Sequence, residues 1–270
     1  MTLKDRIGID LGRKKRLEDG IEWAAQHGVR YLDCELDVEP NALLSFDERR
    51  AGPVREALAR HGIKLGLHTL SAVNVAEMSP FVSDAVDQYL RAYIDAARRL
   101  DAGWIVVHGG YHFTGDYQAR MNAGVERLKR IVGHAEKQGV QLLLENLNKE
   151  PEQSEVHYLP HNVEECRFFF DRLTSPKLGW AFTVNHAHIV PEGIDGHIRA
   201  LDLERCGEVR LADCRGDREE HLRPGEGTID FKAMFKCIEQ AGYRGHYMNA
   251  FGSLDDMLQG RETLVRLAAG

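Results

Sequence analysis

The sequence predicts a single-domain (β/α)8 TIM barrel spanning residues 1–270. Three observations predict it. Eight strand-length apolar runs recur along the chain, segments with helical spacing separate them, and the length suits one large barrel domain without requiring two. Alternation of this kind joins parallel strands through crossover helices.

The runs are RIGID (6–10), RYLDCEL (30–36), IKLGLH (63–68), WIVVHG (104–109), VQLLLE (140–145), LGWAFT (178–183), EVRLAD (208–213) and HYMNAF (246–251). After the first, DLGRKKR lacks the glycine-rich phosphate turn of an open doubly wound sheet, which ranks that architecture second. Gly28, Gly62 and Gly139 stand just before the second, third and fifth runs, where a left-handed residue commonly closes a helix. Phe81, Ala85, Tyr89, Tyr93, Ala97 and Leu100 form one helical stripe, and Val125, Leu128, Ile131, Val132 and Ala135 form the next. Before the sixth run, Asn162 with Glu165 three residues on makes a capping-box-like helix start. Before the eighth, PGEGTID (224–230) reads as a turn into a helix capped by Thr228 or Asp230.

With 43% hydrophobic and 29% charged residues the chain can build a sizeable core. Its formal net charge of -7 leaves no electrostatic footprint for nucleic acid or an anionic membrane. No run approaches the roughly 18 apolar residues of a membrane helix, and MTLKDRIGID has no apolar signal region. Five scattered cysteines without a CxxC pair read as reduced thiols in a cytoplasmic protein. The expected partner is a small molecule, and homo-oligomer formation depends on exposed surfaces that the sequence does not specify.

Barrel enzymes place their chemistry at the C-terminal strand ends. Here those ends carry His68, His108, Glu145, Thr183 followed by His186 and His188, Arg210 followed by Asp213, and Asn249. The loop GDREEHLRPGEGTIDF adds Glu219, Glu220 and His221. Singly, a strand-end histidine is more often a packing residue, Asn146 and Asn148 are equally turn residues, His188 suits an exposed position and Glu220 is solvated charge. Glu145 differs, because a carboxylate straight after three leucines is expensive to bury without a cation or a dense set of donors. His68, His108 and Glu145 would meet on one rim, and two imidazoles with a carboxylate can hold a divalent metal with positions left open. His186, Glu219 and His221 offer a second such triple.

In order, HTLSAVNVA (68–76), VVHGG (106–110), LLLEN (142–146), TVNHAH (183–188) and HLRPGEGTIDF (221–231) resemble the xylose isomerase-like TIM barrel superfamily, which includes sugar isomerases and epimerases and metal-dependent apurinic endonucleases. The resemblance spans nearly the whole chain. It implies that His68, His108 and Glu145 hold one endonuclease-type metal and His186, Glu219 and His221 another, the ion being Zn, Mn, Fe or Co. It also exposes departures: Thr183 stands where the superfamily usually has Asp, Arg210 where it has His, and Asn249 near its Glu. Of the central sugar-isomerase metal site only Glu145 remains, and the permanent charge of Arg210 disfavours a metal there. That guanidinium would pair with Glu145 or bind a substrate carboxylate, phosphate or developing enolate.

The resemblance therefore implies an isomerase- or epimerase-like enzyme acting on a small sugar or sugar-derived carbonyl compound, sugar acids included, with Glu145 as candidate base and His186 or His112 as acid. Asn146, Asn148, Thr183, Arg210, Asp213 and Asn249 are the expected substrate contacts. Alternatives are metal-assisted lyase or hydrolase chemistry, and a non-catalytic sugar- or anion-binding barrel. Apurinic endonuclease activity ranks lower, given the acidic balance and the lack of basic clusters in the strand-end loops.

Overall fold

A computed structural model describes residues 1–269. All eight expected runs form strands of one closed barrel: β1 (Ile7–Gly12), β2 (Tyr31–Glu35), β3 (Lys64–His68), β4 (Trp104–Val107), β6 (Leu142–Glu145), β8 (Leu178–Thr183), β9 (Cys206–Leu211) and β10 (His246–Asn249). They pair in parallel in the circular order β1-β10-β9-β8-β6-β4-β3-β2. Two strands lie outside the barrel and were not expected. β5 (Gly110–Phe113) and β7 (Val156–Leu159) pair antiparallel, with Tyr111 opposite Tyr158 and His112 opposite His157.

The crossover helices pack outside: α2 (Leu17–Gln26), α3 (Glu48–His61), α4 (Pro80–Leu100), α5 (Tyr117–Gln138), α6 (Val163–Phe170), α8 (Gly193–Ala200), α9 (Phe231–Gln240) and α10 (Leu254–Ala269). Two short helices, α1 (Leu3–Arg6) and α7 (Val184–His188), precede β1 and follow β8. Asn162 accepts from the Glu165 backbone N–H, as expected, but the Glu165 carboxylate reaches back to His161 N–H, one residue beyond a capping box. Asp230 rather than Thr228 caps α9, accepting from Ala233 N–H. Gly62 and Gly139 close α3 and α5 with φ of 64° and 74°, a region a Cβ disfavours. No described helix is long and apolar enough to cross a membrane.

Strand alternation divides the core. Residues such as Ile9, Leu32, Leu65, Ile105 and Leu144 point outward into the layer shared with the helices. Trp104, Val106, Leu143, Ala181 and Met248 form a smaller cluster inside the barrel. Beside them the interior is charged. His246 stacks on Tyr31 with centroids 4.5 Å apart, and its Nε2 lies 2.9 Å from Glu208 Oε2. Arg210 then donates from Nη1 to Glu208 Oε1 at 2.7 Å and Asp33 Oδ2 at 2.5 Å, and from Nη2 to Asp10 Oδ2 at 2.8 Å. Gly66 leaves the room this cluster needs: a Cβ there would collide with Asp33 and the Trp104 indole.

Removing one partner of a buried charge network strands the others without compensation. Arg210→Met is expected to destabilise the protein by about 3–5 kcal/mol in urea denaturation. Gly66→Ala, which overfills the same space, is expected to cost about 1–3 kcal/mol in the same measurement.

Candidate active site

The C-terminal mouth of the barrel opens into a cavity of about 430 Å³. The ends of β3 and β4 deliver two imidazoles and the end of β6 a carboxylate, because a parallel barrel puts neighbouring strand ends on one rim. His68 Nε2 and His108 Nε2 are 3.2 Å apart, and Glu145 Oε2 lies 3.3 Å and 3.1 Å from them. Ligands at about 2.0–2.1 Å from a tetrahedral ion stand roughly 3.3–3.4 Å apart, so this triangle has the size of one face of such a site.

The proton count argues the same way. The Thr69 hydroxyl donates to Val106 O, so its oxygen is left to accept from His108 Nδ1–H at 3.3 Å. A neutral His108 ring then has no proton on Nε2. That bare nitrogen faces a carboxylate oxygen, an arrangement that calls for a shared proton or a cation. Burial lowers the His108 pKa, favouring the neutral ring that a metal requires. Burial would raise Glu145, but a proton shared with His108, the bond to His68 and the charges of His68 and Arg210 outweigh it and hold the carboxyl well below its usual range.

The second triple also assembles. Glu219 Oε1 lies 3.1 Å from His186 Nε2 and 2.9 Å from His221 Nε2. Each ring is anchored through Nδ1 on a backbone carbonyl, His186 on Asn146 O at 2.9 Å and His221 on Ala250 O at 2.6 Å. This fixes the tautomer and aims Nε2 at the carboxylate, as in histidine ligands supported from behind. Burial notwithstanding, the bonds from His186 and His221 pull Glu219 down to about 2. Burial opposes a charged His221, yet the Glu219 bond and the Ala250 carbonyl raise its pKa. The two triples adjoin, with His186 Nδ1 3.9 Å from Glu145 Oε1.

Several expected substrate contacts have other work. Asn146 uses its amide on the Thr183 backbone, accepting from N–H at 2.9 Å and donating to C=O at 3.0 Å. Asp213 accepts from the N–H groups of Cys214, Gly225, Gly227 and Ile229 and folds the loop that returns Glu219 and His221. Asn249 turns outward and donates to Met257 O on α10, so Ala250 lines the cavity in its place. Thr183 lines the cavity but donates its hydroxyl to Glu145 Oε1, which makes it a positioning residue. Arg210 is not a free anion clamp: three of its N–H groups are held by carboxylates, and its Nε stands 3.8 Å from Glu145 Oε1. His112 stacks on His157, 5.2 Å between centroids, and does not line the cavity. Asn148 does line it. Glu220 braces the loop by accepting from Arg215 N–H, and His188 bonds Thr228.

Asp10, Lys14, Glu35, Tyr158 and Phe251 line the cavity without having been anticipated. Asp10 and Glu35 were legible in principle. They share the inward parity of β1 and β2, whose alternate residues Ile9, Leu11, Leu32 and Cys34 are buried apolar. Burial and the neighbouring Asp10 push the Glu35 carboxyl up. Tyr158 comes from the β5/β7 ribbon, which no apolar run announced.

A family model for the xylose isomerase-like TIM barrel matches residues 21–262. The chain belongs to the xylose isomerase-like TIM barrel family. Among relatives, it is 26% identical over 211 residues to an uncharacterized protein of Methanocaldococcus jannaschii, covering 76% of this chain and 70% of that one. It is 24% identical over 191 residues to the fructoselysine 3-epimerase of Shigella flexneri, covering 67% and 64%. Among solved structures, a D-tagatose 3-epimerase-like protein superposes with a TM-score of 0.85 at 22% identity, over 98% of this chain and 97% of that one. D-psicose 3-epimerase from Clostridium cellulolyticum H10 gives 0.79 at 17% identity, over 98% of each. At these identities the structural likeness establishes the shared barrel.

Because an imidazolium must lose its proton to bind a metal, acid competes with Zn²⁺ at the Glu219 triple. Zn²⁺ affinity by calorimetry is expected to fall as the pH is lowered through the raised pKa of His221, because protonation of that ring then competes with the metal. His221→Ala should remove one class of site together with its share of that pH dependence.

Proposed function

We propose that this chain is a divalent-metal enzyme that isomerises or epimerises a small sugar or sugar-derived carbonyl compound by removing a proton beside the carbonyl. The observation that carries the reading is the triangle of His68, His108 and Glu145, whose spacing and bare His108 nitrogen fit a cation. Likeness to proteins named as ketose and fructoselysine 3-epimerases supports the substrate class. A metal held by this triple would polarise a substrate oxygen and raise the acidity of the adjacent carbon.

The chain supplies the rest. The charges of His68 and Arg210 help keep Glu145 ionised, as a base must be, and Thr183 fixes its second oxygen. A carboxylate with so low a pKa is a weak base, so it can act only on an acidified C–H. With Asn249 turned outward, β10 gives no second carboxylate for the opposite substrate face. His186, with Nδ1 3.9 Å from Glu145 Oε1 and Nε2 bonded to Glu219, is the candidate for returning the proton when no ion occupies the second triple.

A second reading is metal-assisted hydrolase or lyase chemistry, favoured by the adjoining His186, Glu219 and His221 triple, since paired divalent ions clamp phosphate oxygens. DNA is a poor fit to a chain of net charge -7.

Ketohexoses such as D-tagatose, D-psicose and D-fructose, incubated with protein and Mn²⁺ or Co²⁺ in D₂O, are expected to gain deuterium beside the carbonyl by NMR. Glu145→Gln should slow that exchange by about 10²–10⁴-fold with the fold intact. Unchanged exchange would reject Glu145 as the base. Hydrolysis of a phosphodiester without any exchange would favour the second reading.

A further inference from the structure

Three of the four histidines lining the mouth are braced through Nδ1, the ring nitrogen away from the carboxylate: His186 on Asn146 O, His221 on Ala250 O and His108 on the Thr69 hydroxyl. His68 is not. Its Nδ1 is buried and meets no hydrogen-bonding atom of the described residues. Metal-binding histidines are usually held by that second nitrogen, so something else must keep His68 Nε2 3.2 Å from His108 Nε2.

The hold on His68 is through its backbone. On α4, Tyr89 and Tyr93 stand one helical turn apart on one face and reach the ends of β2 and β3. The Tyr89 hydroxyl accepts from Leu70 N–H at 2.8 Å and donates to Asp37 Oδ1 at 2.7 Å. The Tyr93 hydroxyl accepts from Leu36 N–H at 2.9 Å, donates to Asp37 Oδ2 at 2.7 Å and lies 3.1 Å from the His68 carbonyl oxygen. One carboxylate thus fixes both phenols, through hydrogen bonds of the stronger, charge-assisted kind. The segment they hold carries both imidazoles of the first triple. His68 is one ligand, and Thr69, whose N–H and hydroxyl both bond Val106 O, braces the other.

We propose that Asp37, Tyr89 and Tyr93 are positioning residues for the triple of His68, His108 and Glu145, setting the spacing of its imidazoles through residues 68–70. None of the three lines the reaction cavity, so they act only through the ligands. Their role rests on the reading of that triple as a metal site.

Zn²⁺ binding by calorimetry, with no turnover involved, separates this role from plain packing when it is measured in two backgrounds. His221→Ala leaves the first triple, and His108→Ala leaves the second. Asp37→Ala and Tyr89→Phe, both at half-buried positions, should each weaken binding by about 10–100-fold in the first background, the loss usual when the support behind a ligand is removed. Binding in the second background should be unchanged. That background also reports folding, because His186, Glu219 and His221 meet only when α7 and the loop after β9 are in place. Undiminished affinity of the first triple in both variants, or an equal loss in the two backgrounds, would overturn the proposal and leave the tyrosines as packing. His221→Ala protein that binds no Zn²⁺ at all would overturn the metal reading of the first triple, and the proposal with it.

Discussion

The guanidinium of Arg210, enclosed in the barrel between Asp10, Asp33 and Glu208, is the interaction on which the rest of the site depends. Burying a guanidinium is expensive unless its donors are matched, and here three of them meet carboxylates. Burial and then the charge of Glu208 push Asp33 well up, while Arg210 and His246 outweigh burial to hold Glu208 down. The cluster links the aromatic floor at Tyr31, Trp104 and His246 to the mouth. It also compensates Glu145 from below, leaving the Oε2 edge of that carboxylate free to face His68 and His108.

A cation fixed in the protein has a consequence for any metal. The place where the superfamily gathers four ligands around one ion is filled by positive charge, and Thr183 and Ala250 offer nothing to ligate with except a hydroxyl already given to Glu145. The residues that could hold a metal therefore flank Arg210, with His68, His108 and Glu145 on one side and His186, Glu219 and His221 on the other. The family barrel is retained and its centre of charge is rebuilt.

Much of this was legible in the sequence. All eight barrel strands follow from apolar runs of strand length, since buried parallel strands need little else. Both His–carboxylate triples follow from strand ends and one loop. Three substrate contacts failed for a single reason. Side chains alternate along a strand, so Asn146, Asp213 and Asn249, each one residue beyond an inward position, point away from the cavity. The same parity would have found Asp10 and Glu35, whose strands were read for their apolar half alone. The β5/β7 ribbon escaped because GYHF and VHYL are short and lack an apolar face of their own. Pairing across 46 residues of sequence, as between Tyr111 and Tyr158, leaves no local pattern.

The central claim is that this barrel holds its metals beside Arg210 and not in its place. Anomalous difference density from crystals grown with Zn²⁺ or Mn²⁺ tests it directly. The account predicts one peak within about 2.0–2.3 Å of His68 Nε2, His108 Nε2 and Glu145 Oε2, and a second among His186, Glu219 and His221. A peak between Glu145 and Thr183 with the Arg210 side chain displaced, or ordered density showing the histidines bonded to Glu145 at saturating metal with no peak at all, would contradict it.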